Sequence, residues 1–222
     1  MSVLDWSFVI LLSAALLFFL LGILFFFSFL LASRKFKPVK KKRPPKNKKK
    51  RRQFLQLRKQ LDKKRRSRRL WSILFLLIAA MSLGGGFYSR YYQQNNLGGD
   101  DSEALVQSYY LLEEAVLQIN NVQAGENPQK SIKNLQEVTS RLASYGARKA
   151  AMSLSTDGQT LLNRHFTMLR ELGVNLNGQT VESLQNQGTS EGYLEDIEKV
   201  RESQSKVFKR FNVNEGALKK KQ

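Results

Sequence analysis

The chain has 222 residues, with 37 Lys or Arg against 18 Asp or Glu, a net charge of +19 and no cysteine. Without cysteine there is no disulfide framework, no thiolate nucleophile and no thiolate metal site. A uniformly basic surface is excluded too: residues 1–33 carry only Asp5, Arg34 to Arg69 hold 21 cations against Asp62 alone, and Leu70 to Gln222 balance 16 against 16.

A block of like charge beside apolar segments reads as a juxtamembrane polybasic region rather than a general nucleic-acid surface. Trp6 to Ser33 is 28 consecutive uncharged residues rich in Leu, Phe, Ile and Ala, more than the ~20 that an α-helix needs to cross the hydrocarbon. It is predicted to be a first transmembrane helix, 6–33, behind a short extracytoplasmic N-terminus, 1–5. A cleaved signal peptide fits less well, because Asp5 stands where the basic n-region belongs and the apolar run is too long.

The basic loop, 34–69, follows. Arg34, Lys35, Lys37, Lys40, Lys41, Lys42 and Arg43 precede Pro44-Pro45, and Lys46, Lys48, Lys49, Lys50, Arg51 and Arg52 follow it. Repulsion and the prolines predict an extended conformation for this half. Arg58, Lys59, Lys63, Lys64, Arg65, Arg66, Arg68 and Arg69 complete the set, and Phe54, Leu57 and Leu61 recur among them at helical spacing. This half is read either as a basic amphipathic helix lying on the inner leaflet or as a solvated linker packed against the spans.

Leu70 to Ser89 gives a second span, 70–89, with Trp71 at one end and Phe87, Tyr88, Tyr91 and Tyr92 at the other. Ala80 and Gly84 have the spacing that lets two helices approach closely, for the first span or for a partner, although Gly84 to Gly86 equally suit a fraying helix end. Cations are concentrated between the spans, with only Arg90 just after the second, so the basic loop is expected to be cytoplasmic and both termini extracytoplasmic.

Residues 90–100 read as a polar linker, with Asn95-Asn96 and Gly98-Gly99. Residues 101–222 are long enough to fold as a domain. Its apolar stripes are Leu105, Tyr109, Leu112, Val116, Ile119 and Val122; Ile132, Leu135, Val138 and Leu142; Leu161, Leu162, Phe166, Leu169 and Leu172; and Tyr193, Ile197, Val200, Val207 and Phe211. Expected boundaries are a cap at Asp100, Asp101 or Ser102, Asn127-Pro128, a start at Thr156 or Asp157, Gly173 as a stop, a short turn at Val181 to Gln185 and a cap at Ser190. The fold class is all-α: two transmembrane helices and an extracytoplasmic bundle of about four helices.

Chemistry is sparse. His165 is the single histidine, placed by its helical context at a surface or boundary, and Glu113-Glu114 and Glu195-Asp196 are adjacent pairs that point apart on a helix. No catalytic residue, cofactor or metal is expected. The terminal Lys219 to Lys221 reads as a basic tail. The expected function is a non-enzymatic scaffold or assembly factor of a bacterial envelope complex. Its loop engages anionic lipid or an acidic partner, and its bundle engages an envelope protein. Non-specific nucleic-acid tethering through the loop is the alternative, and an exported hydrolase the remote one.

Overall fold

The computed structural model describes residues 3–219, and every element in them is an α-helix. The chain divides into two compact units, residues 1–91 and 92–222. The last residues of the basic tail, 220–222, lie outside the described residues.

The first unit is a helical hairpin. Helix α1 runs Val3–Lys41 and helix α2 runs Lys48–Asn95, and both are long and apolar enough to cross a membrane. Contacts fix them as antiparallel, because partners on α2 advance as those on α1 retreat. Arg65 lies over the Phe36 ring, Trp71 packs on Phe25, Ser72 Oγ donates to Gly22 O at 3.1 Å, Phe75 stacks on Phe18, and Ser89 Oγ meets Ser7 Oγ at 2.9 Å.

The seam has a seven-residue period. Ala15, Gly22 and Phe36 are buried on α1, and Ser72, Ala79 and Gly86 on α2, with Ala32 and Ser89 buried at the intervening three- or four-residue spacing. A strict seven-residue repeat holds one face of each helix toward its partner, and small residues there let the backbones close up. This corrects the expectation for Ala80 and Gly84 as a face for the first span: both are exposed, and nothing lies within 4 Å of a side chain built on Gly84. Gly85 and Gly86 face Leu11 instead, and the three glycines do not fray the helix, which continues to Asn95.

The basic run is also more helical than expected. α1 continues through Pro38 to Lys41 and α2 starts at Lys48, so only residues 42–47, around Pro44-Pro45, are not helical. Pro38 lies in the last turn of α1, where it removes the N–H that would bond Arg34 O and the helix ends three residues later. Asn47 starts α2, its Oδ1 accepting from Lys49 N at 3.1 Å. Gln53 to Arg69 is a collinear part of α2, not a separate helix laid on a surface.

In the second unit, residues 92–95 end α2 and take part in the packing, so the expected polar linker shrinks to the residues between Asn95 and Gly99. Gln94 O accepts from Ser155 N at 3.1 Å, and Asn95 Oδ1 from Arg210 at 3.3 Å. Helices α3 (Gly99–Gln123), α4 (Pro128–Gly146), α5 (Thr156–Asn177) and α7 (Gln187–Phe211) surround one core, with the short α6 (Val181–Gln185) and α8 (Glu215–Lys219) at its edge. Leu105, Leu112, Ile119, Leu135, Leu142, Leu162, Phe166, Leu169 and Ile197 are its enclosed side chains.

Two helix starts, those of α3 and α7, differ from expectation. Gly98 rather than an acid precedes α3, and Asp101 is drawn inward to accept from Ala151 N at 3.1 Å, burial pushing its carboxyl above the usual range. At α5 the helix starts at Thr156, one of the two expected positions, with Ser155 capping it through Gly158 N. Asn186 caps α7 through Thr189 N at 3.2 Å, leaving Ser190 buried inside the first turn, where Gln123 donates to it. Gly173 does not end α5. It is a crossing point, as is Gly146 at the end of α4, and the two helices pack backbone to backbone there.

Candidate functional site

The 21 cations of the sequence reading all fall on the hairpin beyond its apolar stretch, and the structure divides them into a base and a tip. At the base, the Asp62 carboxylate gathers two of them: Arg65 Nη2 reaches Oδ1 at 2.9 Å and Arg66 Nε reaches Oδ2 at 2.9 Å. These are the i+3 and i+4 positions of α2, where helix geometry brings side chains together. Arg65 also sits 4.5 Å from the Phe36 ring centroid, a cation–π contact that leaves Phe36 only 5% exposed. Arg68 Nη1 donates to Ser28 O at 3.0 Å.

An open groove of about 780 Å³ runs along this level, lined by Lys59, Asp62, Lys63, Arg66 and Ser67 at one end and Leu70, Trp71 and Leu74 at the other. Cations standing over an apolar floor match a phospholipid, phosphate above and acyl chain below. A second groove lies on the other side of Asp62, between Phe36, Lys40, Leu55 and Arg58.

The tip differs. From Lys40 to Arg52 every side chain is exposed, and no cation of this stretch forms an ion pair among the described residues. The first turn of α2 holds Lys48, Lys49 and Lys50 and no acid, at the positive end of the helix dipole. Like charge is therefore concentrated where a bound anion would relieve it most.

Sequence reasoning noted Asp62 only as the lone acid. Its role was legible in the spacing Asp62, Arg65, Arg66; the role of Phe36 was not, because its partner lies on the other helix.

In the bundle, His165 is fully enclosed on α5 instead of lying at a surface or boundary, and neither ring nitrogen has a hydrogen-bond partner. Burial lowers its pKa to about 4. The acids read as solvated pairs are partly engaged. Glu113 takes Arg201 Nη2 at 2.8 Å across α3 and α7, Glu114 accepts from Gln118, and Asp196 pairs with Lys199 at 2.7 Å. No group of three His, Asp or Glu that could hold a metal ion occurs among the described residues. Comparison with protein-family models, curated proteins and solved structures yields no match.

Proposed function

We propose that the protein is a two-pass membrane scaffold of a bacterial envelope. Its basic hairpin lies in the cytoplasm against an anionic partner, and its bundle lies outside to engage another envelope protein. The observation that carries this reading is the outward face of the α1–α2 hairpin. Leu16, Leu20, Leu24 and Phe27 on α1, and Ile73, Leu77 and Met81 on α2, are exposed and apolar, and the charge begins on both helices at the same end of the hairpin. An apolar surface this continuous is suited to lipid and unsuited to water.

The excess of Lys and Arg between the spans supports a cytoplasmic hairpin, which leaves residues beyond about Tyr92 outside. The groove floored by Leu70, Trp71 and Leu74 supports contact between the base of the hairpin and anionic headgroups, with each cation near the surface gaining about 1 kcal/mol.

Because the chain has no cysteine, single-cysteine labelling tests the topology directly. In intact cells, a membrane-impermeant maleimide is expected to label Met152→Cys, at an exposed position of the bundle, and to reach Asn47→Cys only after permeabilisation. The reverse pattern would overturn the topology.

A further inference from the structure

We propose that the tip of the basic hairpin, Lys46 to Arg52, binds the phosphate backbone of a structured nucleic acid, at a height where the membrane no longer contributes. The inference rests on the membrane reading above and names the partner of one part of it.

Height decides against lipid. The 22 residues from Lys48 to Arg69 are one continuous helix and rise about 33 Å at 1.5 Å per residue. The longer apolar run of α1 raises the membrane boundary at most to Ser33. Since Phe36 meets Arg65 and Ser28 meets Arg68, Ser33 stands between those two levels, near Arg66. Lys48 is then still about 27 Å away. The screening length at physiological salt is about 8 Å, so the potential of the leaflet has fallen roughly thirtyfold by that distance. The base of the hairpin can be held by lipid. Its tip cannot.

Composition then decides between a nucleic acid and a protein. The seven residues Lys46 to Arg52 hold six Lys or Arg and one Asn, all exposed, with no apolar or aromatic side chain. Protein interfaces draw their affinity from a buried apolar and aromatic centre and are depleted in Lys, and nothing here can form such a centre. Phosphate neutralisation needs only cations, and duplex DNA offers one charge per about 1.7 Å of axis. Single strands are disfavoured as ligands because stacking aromatics are missing: Phe36 is buried beneath Arg65 and Phe54 is half-buried. The unrelieved repulsion among Lys48 to Arg52 at a helix N-terminus, where a polyanion is favoured, adds to the same direction.

The test uses the full chain in nanodiscs of zwitterionic lipid and labelled RNA and DNA duplexes of roughly 20 bp, with affinity followed against salt. Two variants each remove five charges: K48Q/K49Q/K50Q/R51Q/R52Q at the tip and K59Q/K63Q/K64Q/R66Q/R69Q at the base. Circular dichroism is used to check that both keep their helices. The tip variant is expected to lose about tenfold or more in affinity near 0.15 M salt, with the log–log salt slope shallower by up to about 4.5, while the base variant changes less than about threefold. RNA and DNA probes then show which backbone is preferred.

Equal losses from both variants would overturn the assignment to the tip. So would displacement of the duplex by polyglutamate of equal charge, which would indicate an acidic protein, or suppression of duplex binding by phosphatidylglycerol in the disc, which would show that the leaflet reaches the tip. Labelling of Asn47→Cys separates the two readings. If it is reached only from inside and no duplex binds, this inference alone fails; if it is reached from outside, the membrane topology fails first.

Discussion

Gly173→Ala is expected to destabilise the bundle by about 3 kcal/mol, near the upper end for overpacking, although the same change in an ordinary helix interior stabilises by up to about 1 kcal/mol. A Cβ at Gly173 would stand 2.7 Å from both Ala143 N and Thr139 O, which are backbone atoms of α4 and cannot swing aside. The helices would have to separate, and the contact at Gly146, where a Cβ would meet Arg170 N and lie 2.6 Å from Phe166 O, would loosen with them. Gly192→Ala is the matched control. It lies within α7 with nothing inside 4 Å of its Cβ position, so the substitution is expected to raise stability by roughly 0.5–1 kcal/mol. Urea denaturation of the chain in detergent, read by pulse proteolysis of the bundle, checks both. With a slope of about 2 kcal/mol/M, the first shift is about 1.5 M downward. A neutral or stabilising Gly173→Ala would remove the backbone crossing of α4 and α5.

The second large effect is pH dependence through His165. In the unfolded chain its pKa is near 6.5, and in the folded bundle burial lowers it to about 4. Above 6.5 the imidazole is neutral in both states and contributes no pH dependence. As pH falls from about 6.5 toward 4, the unfolded chain takes up a proton that the folded one refuses, so stability declines across that window by about 3 kcal/mol. His165→Leu is expected to remove this component of the decline. It should also be more stable at neutral pH, because the two unpartnered ring nitrogens are then no longer buried, a cost of order 1–3 kcal/mol. Midpoints for both chains at pH 7, 5.5 and 4.5 give the comparison, and the difference isolates His165 from the carboxylates that titrate in the same range. Parallel pH profiles would show that His165 is solvated in the folded protein.

The cores of both units were unequally legible. Ile132, Leu135, Val138 and Leu142 fall on one face at helical spacing, and all four are buried. On α5 the same rule found Leu162, Phe166, Leu169 and Leu172 but placed a stop at Gly173. A glycine at the end of an apolar stripe looks like a terminator when only the local chain is considered. Here it is a gap left for a neighbouring backbone, and that neighbour is some thirty residues away in sequence. His165 was misplaced for a related reason: its flanks, Arg164 and Phe166, argue equally for either face, and only packing shows that the imidazole turns inward with Phe166.

In the hairpin, composition alone determined the two apolar helices, the concentration of charge between them and a proline break at Pro44-Pro45, although not the turn made there. These are one-dimensional properties, set by runs of residues and by the missing N–H of proline. Which face of α2 meets α1 is different. Ala80 and Gly84 are as plausible locally as Ala79 and Gly86, and the choice is made by a seven-residue register shared with Ala15 and Gly22 on the other helix. The basic run is also helical for tertiary reasons. Like-charge repulsion argues for an extended chain, yet Asp62 neutralises part of the base while Phe36 and Ser28 hold Arg65 and Arg68 across the hairpin. Those cross-helix contacts turn a basic loop into a stalk, with a base held by both helices and a tip that stands beyond them.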